Sequence, residues 1–220
     1  MKNLASANVV LLARNLNPSV FSQLWLVREG IVGEKDFAED CVFTPIAARV
    51  LTPDFQLLAL PDRLQFALTH RSKNDSKLIT DRVTNIVQKL EHTPYTAIGA
   101  NFHWHVAPDA PGHFVEFMRG LFVRPEIPLY DEFSANDARF GAYMSKDIFG
   151  ARLKLNIKPM SPARVEKGAE VAEFLHLHFN YHLDLIYGKP INQILDFLKN
   201  WDVMKSKSED IASATLNRNG

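Results

Sequence analysis

The chain has 220 residues, with 25 Lys and Arg against 25 Asp and Glu, 46% apolar residues and a single cysteine. That length holds one large domain or two small ones closely fused, and the apolar share excludes global disorder. Formal neutrality excludes nucleic-acid binding through bulk charge, though not through a local basic face, and a lone Cys41 excludes an internal disulfide framework or a Cys-based zinc cluster.

The opening MKNLASANVVLLARNLNP starts like a leader, but its apolar run VVLLA is short and Arg14 interrupts it. No stretch approaches the ~20 apolar residues of a membrane span. The expected location is therefore the cytoplasm, with no membrane partner. Residues 8–13 read as a strand entering the core. Asn17 before Pro18 is a helix start, Val20, Phe21, Leu24 and Trp25 recur at helical spacing, and Gly30 ends the run. Strands are predicted over 42–50, 55–60 and 64–69, the last two joined by the turn formers Pro61-Asp62-Arg63. Ile79, Val83, Ile86, Val87 and Leu90 predict an amphipathic helix over 78–90.

The second half repeats this order. A strand is predicted over 95–106 and a helix over 111–121 with Phe114, Phe117, Met118 and Leu121 on one side. The Pro-rich segment 123–137 is too broken for regular structure and suits a loop packed on the protein's own surface or on a partner. A hairpin over 139–145 and 151–158 turns around Asp147-Ile148-Phe149-Gly150, and the loop 159–168 precedes a long strand over 173–184. Pro190 opens a helix carrying Ile191, Ile194, Leu195, Leu198 and Trp201. The expected fold is α+β: a duplicated β-α-β-β-β-α unit (about 8–92 and 95–203) with a mostly antiparallel sheet and helices on one face. It forms one domain over 1–204, and 205–220 reads as a mobile polar tail or weak helix.

Glycine-rich phosphate loops and the zinc-protease, nucleophile-elbow and EF-hand patterns are absent from the sequence. The carboxylate pairs Glu39-Asp40, Asp131-Glu132 and Glu209-Asp210 fall in or beside loops, where they read as solvated charge, and no catalytic residue is assigned. Trp25, Trp104 and Trp201 occupy apolar positions of periodic segments and read as core.

The unusual feature is a set of histidines at strand spacing. Period two puts Asn101, His103 and His105 opposite Phe102, Trp104 and Val106. It puts His176, His178, Asn180, His182 and Asp184 opposite Leu177, Phe179, Tyr181 and Leu183, and Arg152, Lys154, Asn156 and Lys158 opposite Leu153, Leu155 and Ile157. Three roles are compatible with such a face. It is the solvated side of a one-sided sheet, or a docking surface for a protein or a nucleic-acid backbone, or a metal site. In the last case His103, His105, His176 and His178 would bring four imidazoles to zinc or another first-row metal.

At PDRLQF (61–66) and YTAIGANFHW (95–104) the chain resembles a family of uncharacterised prokaryotic α+β proteins of similar size, over about 50–106 and 175–201. The resemblance implies the fold and a prokaryotic setting but carries no activity. The expected function is a non-catalytic interaction or scaffold subunit of a cytosolic assembly, without a cofactor, docking to a protein or a second copy through the polar sheet face or a sheet edge. The alternatives are a metal-dependent hydrolase or oxygenase using the His cluster, and nucleic-acid contact through the basic strand 151–158.

Overall fold

The computed structural model of the chain describes residues 1–69, 75–109, 112–161, 173–186 and 188–216. Among these, nine strands build one antiparallel sheet. They are β1 (Lys2–Ala13), β2 (Val42–Phe43), β3 (Ala48–Leu51), β4 (Phe55–Leu60), β5 (Arg63–Leu68), β6 (Tyr95–Val106), β7 (Ala142–Ile148), β8 (Ala151–Met160) and β9 (Phe174–Asp184). Their order is β2-β3-β4-β5-β1-β6-β9-β8-β7. The helices are α1 (Gln23–Arg28), α2 (Asp75–Lys89), α3 (Phe114–Phe122), α4 (Pro190–Lys199) and α5 (Trp201–Ala214). The α+β class and the antiparallel sheet agree with expectation.

The two long central strands hold the molecule together. β1 and β6 pair at eleven positions, from Lys2 opposite Val106 to Ala13 opposite Tyr95, with a bulge between Leu4 and Ser6. Outward from this seam the order of strands is the same on both sides: β5, β4, β3 on one and β9, β8, β7 on the other.

One face of the sheet carries the core. Val9, Leu11, Leu57, Leu64, Phe66, Phe102, Leu177, Phe179 and Tyr181 are buried there. Against them lies α5, where the Trp201 ring sits 4.6 Å from that of Phe102 and the Trp104 Nε1–H donates to Ser208 Oγ at 2.9 Å. The Tyr181 hydroxyl donates to the Met204 carbonyl at 3.1 Å. α2 buries Ile79, Val83, Ile86 and Val87, and α4 buries Ile194, Phe197 and Leu198. α1 is tied to α2 through Asn85 Nδ2, which donates to the Glu29 carbonyl at 2.7 Å, and through the Lys89–Glu29 ion pair at 2.9 Å.

Several expected boundaries are corrected. The first strand begins at Lys2, well before the apolar run, because its first half pairs with β6. The stretch 42–50 is two strands, split by a tight turn in which Thr44 Oγ1 accepts from the Ala47 N–H at 3.0 Å. The helix expected at Asn17-Pro18 is a 3-10 turn capped by Asn17, and α1 follows behind its own cap, Ser22. The helix expected over 111–121 runs Phe114–Phe122; Pro111 lies outside the described residues, as do 162–168 of the loop placed at 159–168. The segment 123–137 holds a 3-10 stretch, Pro128–Phe133, whose Tyr130 and Phe133 rings meet Phe140. In the hairpin, β7 is Ala142–Ile148 and the turn is Phe149-Gly150, both at positive φ (55° and 71°), the geometry of a two-residue primed turn.

Of the two readings of 205–220, tail or weak helix, the helix is what the described part shows. Residues 205–214 belong to α5, and Met204, Ser208 and Ala212 are buried with Trp201 on its inner face. The stripe escapes a hydrophobicity pattern because its middle member is a serine. Ser208 is tolerated inside because its hydroxyl accepts from Trp104 and donates to the Lys205 carbonyl at 2.7 Å. Residues 217–220 lie outside the described part.

Candidate docking face

Among the described residues the opposite face of the sheet is uncovered: α2, α4 and α5 all pack on the core side. Cross-strand register places every polar residue singled out above on this open face. β6 and β9 set Asn101 opposite Asn180, His103 opposite His178 and His105 opposite His176. β9 and β8 set His182 opposite Arg152, Asn180 opposite Lys154, His178 opposite Asn156 and His176 opposite Lys158. Eleven candidate residues from three non-consecutive segments thus form one contiguous field, because a period-two pattern in paired strands aligns like faces.

At its centre the side chains bond one another. Asn101 Nδ2 donates to Asn8 Oδ1 at 2.9 Å, and Asn101 Oδ1 accepts from Asn180 Nδ2 at 2.7 Å. His178 Nε2 lies 3.1 Å from the same oxygen and must donate to it, which fixes a proton on that nitrogen. The His103 ring stacks on that of His178 with centroids 4.2 Å apart and planes 11° from parallel. His103 Nδ1 shares a proton with His176 Nε2 at 2.9 Å, and His176 Nδ1 sits 3.1 Å from Met160 Sδ. His105 rests on the Phe174 ring at 4.2 Å, and His182 Nε2 pairs with Asp184 Oδ1 at 3.0 Å. Asn8 and Asn101 are each only 9% exposed, so this network is a rigid floor.

Four imidazoles are disfavoured in their protonated form. Burial lowers the pKa of His103, and the neighbouring His178, His176 and His105 lower it further, to about 4. Burial also lowers His105, His176 and His178, with Lys158 adding to the last two and the imidazoles of His105 and His178 to His176. Among the described residues no three His, Cys, Asp or Glu side chains are disposed around one point as metal ligands. Stacked rings direct their in-plane lone pairs along separate, parallel planes, and His176 is turned to two different partners.

Sequence reasoning missed the contribution of the first half. Register carries the open face across β1, with Ser6, Asn8, Val10 and Leu12, and across β5, with Arg63 and Gln65. It continues over β4 and β3, with Gln56, Leu58, Leu60 and Arg49. The signal was present in Arg63-Leu64-Gln65-Phe66, which alternates, but in β1 the run NVVLLA hides it: both faces are apolar there. The face is thus divided. The β1–β4 side is apolar with Gln and Arg at intervals; the β6–β9–β8 side is His, Asn and Lys. Its strands carry five cations (Arg49, Arg63, Arg152, Lys154, Lys158) against two carboxylates (Asp147, Asp184), a surplus of three on a formally neutral chain. Both carboxylates are paired, Asp147 with Arg152 at 3.1 Å.

No described helix is long and apolar enough to cross a membrane. No protein-family model matches the chain, and no curated protein is significantly similar to it.

Proposed function

We propose that the chain is a non-catalytic binding subunit of a cytoplasmic prokaryotic assembly, and that its open sheet face docks on an acidic protein surface. The observation that carries this is the face itself. It is broad, left bare by the helices that cover the other side, preorganised by the Asn8–Asn101–Asn180 network, and cationic where the molecule as a whole is neutral. Imidazoles that stay neutral near pH 7 supply donors and acceptors without the desolvation cost of buried charge, while Lys154 and Lys158, which have no carboxylate partner among the described residues, supply the sign. An apolar sector at Val10, Leu12, Leu58 and Leu60 beside a polar one matches the mixed composition of protein interfaces. The resemblance at 61–66 and 95–104 supports the prokaryotic setting. The mirror-like strand order about β1 and β6 supports a duplicated unit as the origin of so wide a face.

The test is affinity capture from the source cells with the native chain and with Arg152→Glu/Lys154→Glu/Lys158→Glu, each with and without nuclease. A protein retained by the native chain, resistant to nuclease and lost with the triple variant is the expected result. Retention that the variant leaves unchanged, or that nuclease abolishes, overturns the proposal, as does a native chain that retains nothing.

A further inference from the structure

The two edges of the sheet are protected very differently. At one end β2 has only two residues, too short to template another chain. At the other end β7 has seven residues, no proline and no bulge in its pairing with β8. Among the described residues nothing pairs with its outer side. Tyr143 and Met144, on opposite faces of the sheet, are 63% and 48% exposed, while Arg152 of β8 donates to the Ser145 hydroxyl and the Asp147 carboxylate, both at 3.1 Å. Just before β7, a side chain at Gly141 would collide with the Ile157 carbonyl oxygen, so a glycine there lets the strand lie close against β8 from its start. Such a strand is built to stay straight and paired, and half its hydrogen-bonding groups have no described partner.

We propose that β7 pairs with β7 of a second copy, antiparallel about a twofold axis through Ser145. The strand selects this register itself. In a self-pairing antiparallel strand, only residues of the same face can be opposite each other, so the axis must pass through a residue. Ser145 is the midpoint of Ala142–Ile148, so an axis there engages all seven residues: Ala142 meets Ile148, Tyr143 meets Asp147, and Met144 meets Lys146. Within β7 no like charges face each other, and a phenol hydroxyl faces a carboxylate. An axis through Lys146 sets two ammonium groups opposite each other, and an axis through Met144 leaves two residues unpaired. The axis is perpendicular to the sheet, so both open faces lie on the same side of one continuous sheet. The cationic field is thereby doubled. Edge and face are separate surfaces, so this dimer does not depend on the docking partner proposed above, and either can fail alone.

Sedimentation velocity of the full chain should give a dimer, and Ser145→Lys, which places two ammonium groups opposite each other on the axis, should raise its dissociation constant roughly tenfold or more. Directly opposed residues of antiparallel strands have Cβ atoms about 4.5–5.5 Å apart, close enough for a disulfide after small adjustment. Ser145→Cys in a Cys41→Ser background should therefore cross-link two chains under mild oxidation, with a native circular dichroism spectrum for each variant. A monomer throughout the micromolar range overturns the proposal. So does a dimer indifferent to Ser145→Lys, or one that Ser145→Cys fails to cross-link.

Discussion

His103 gathers the most interactions on the open face: it stacks on His178, shares a proton with His176, and lies on a strand whose other side is packed beneath α5. Its folded pKa of about 4 lies below the unfolded value of about 6.5. The unfolded chain therefore binds the proton more readily. The stabilising contribution of the neutral ring is complete above pH 6.5 and is lost as pH falls from there towards 4. His105, His176 and His178 shift in the same direction through burial, and Lys158 on β8 adds its fixed positive charge against His176 and His178. Urea midpoints measured from pH 7.5 down to 4.5 should fall, and should fall less steeply in His103→Asn, which cannot titrate. Equal slopes would show that carboxylates alone set the acid limit. At Asn101, truncation to alanine leaves Asn8, Asn180 and His178 without their shared partner, and should cost about 1–2 kcal/mol in the same assay.

Among the elements, α5 shows how a helix without a wide apolar stripe can still close a core. Its inner face is Trp201, Met204, Ser208 and Ala212, and it covers Phe102, Trp104 and Tyr181. Met204→Ala should destabilise by about 2–4 kcal/mol, read from denaturant unfolding, because the cavity lies against the sheet centre. Removing residues 205–220 should expose Trp104, with a red-shifted fluorescence maximum and loss of cooperative unfolding. Composition alone makes 205–216 look like a tail, because a buried serine scores as polar; only its pairing with Trp104 makes it an interior residue. Strands with strict alternation, such as β6, β8 and β9, were legible with nearly their true ends. β1 was legible only where it is apolar, since its first residues are strand by virtue of β6 beside them and not by their own pattern.

For the whole molecule, one sheet runs through both halves, and its longest pairing is the seam between them, β1 with β6. The halves should therefore unfold together, with circular dichroism and tryptophan fluorescence giving coincident transitions in urea. Two resolved steps would mean that the seam is weaker than the cores it joins. The charge distribution belongs to this scale too. Formal neutrality is a sum over the chain, and the sheet sorts it: the strands of this face carry five cations against two carboxylates, with Arg63 further paired to Asp62 of the adjoining turn at 3.3 Å.

By itself the sequence determined the alternation of three strands, hence which histidines, asparagines and lysines share a side, because the two-residue period of an extended chain is a local property. It likewise determined the α+β class, the amphipathic stripe of α2 and the absence of known catalytic patterns. Only the tertiary structure decided that these three strands are neighbours in the order β6-β9-β8, that Asn8 of β1 completes their network, and that the imidazoles stack and bond one another. Strand order, register and side-chain partners depend on contacts between residues far apart in the chain. Local pattern limits those contacts to compatible faces but does not choose among them; packing of the whole sheet against one layer of helices does.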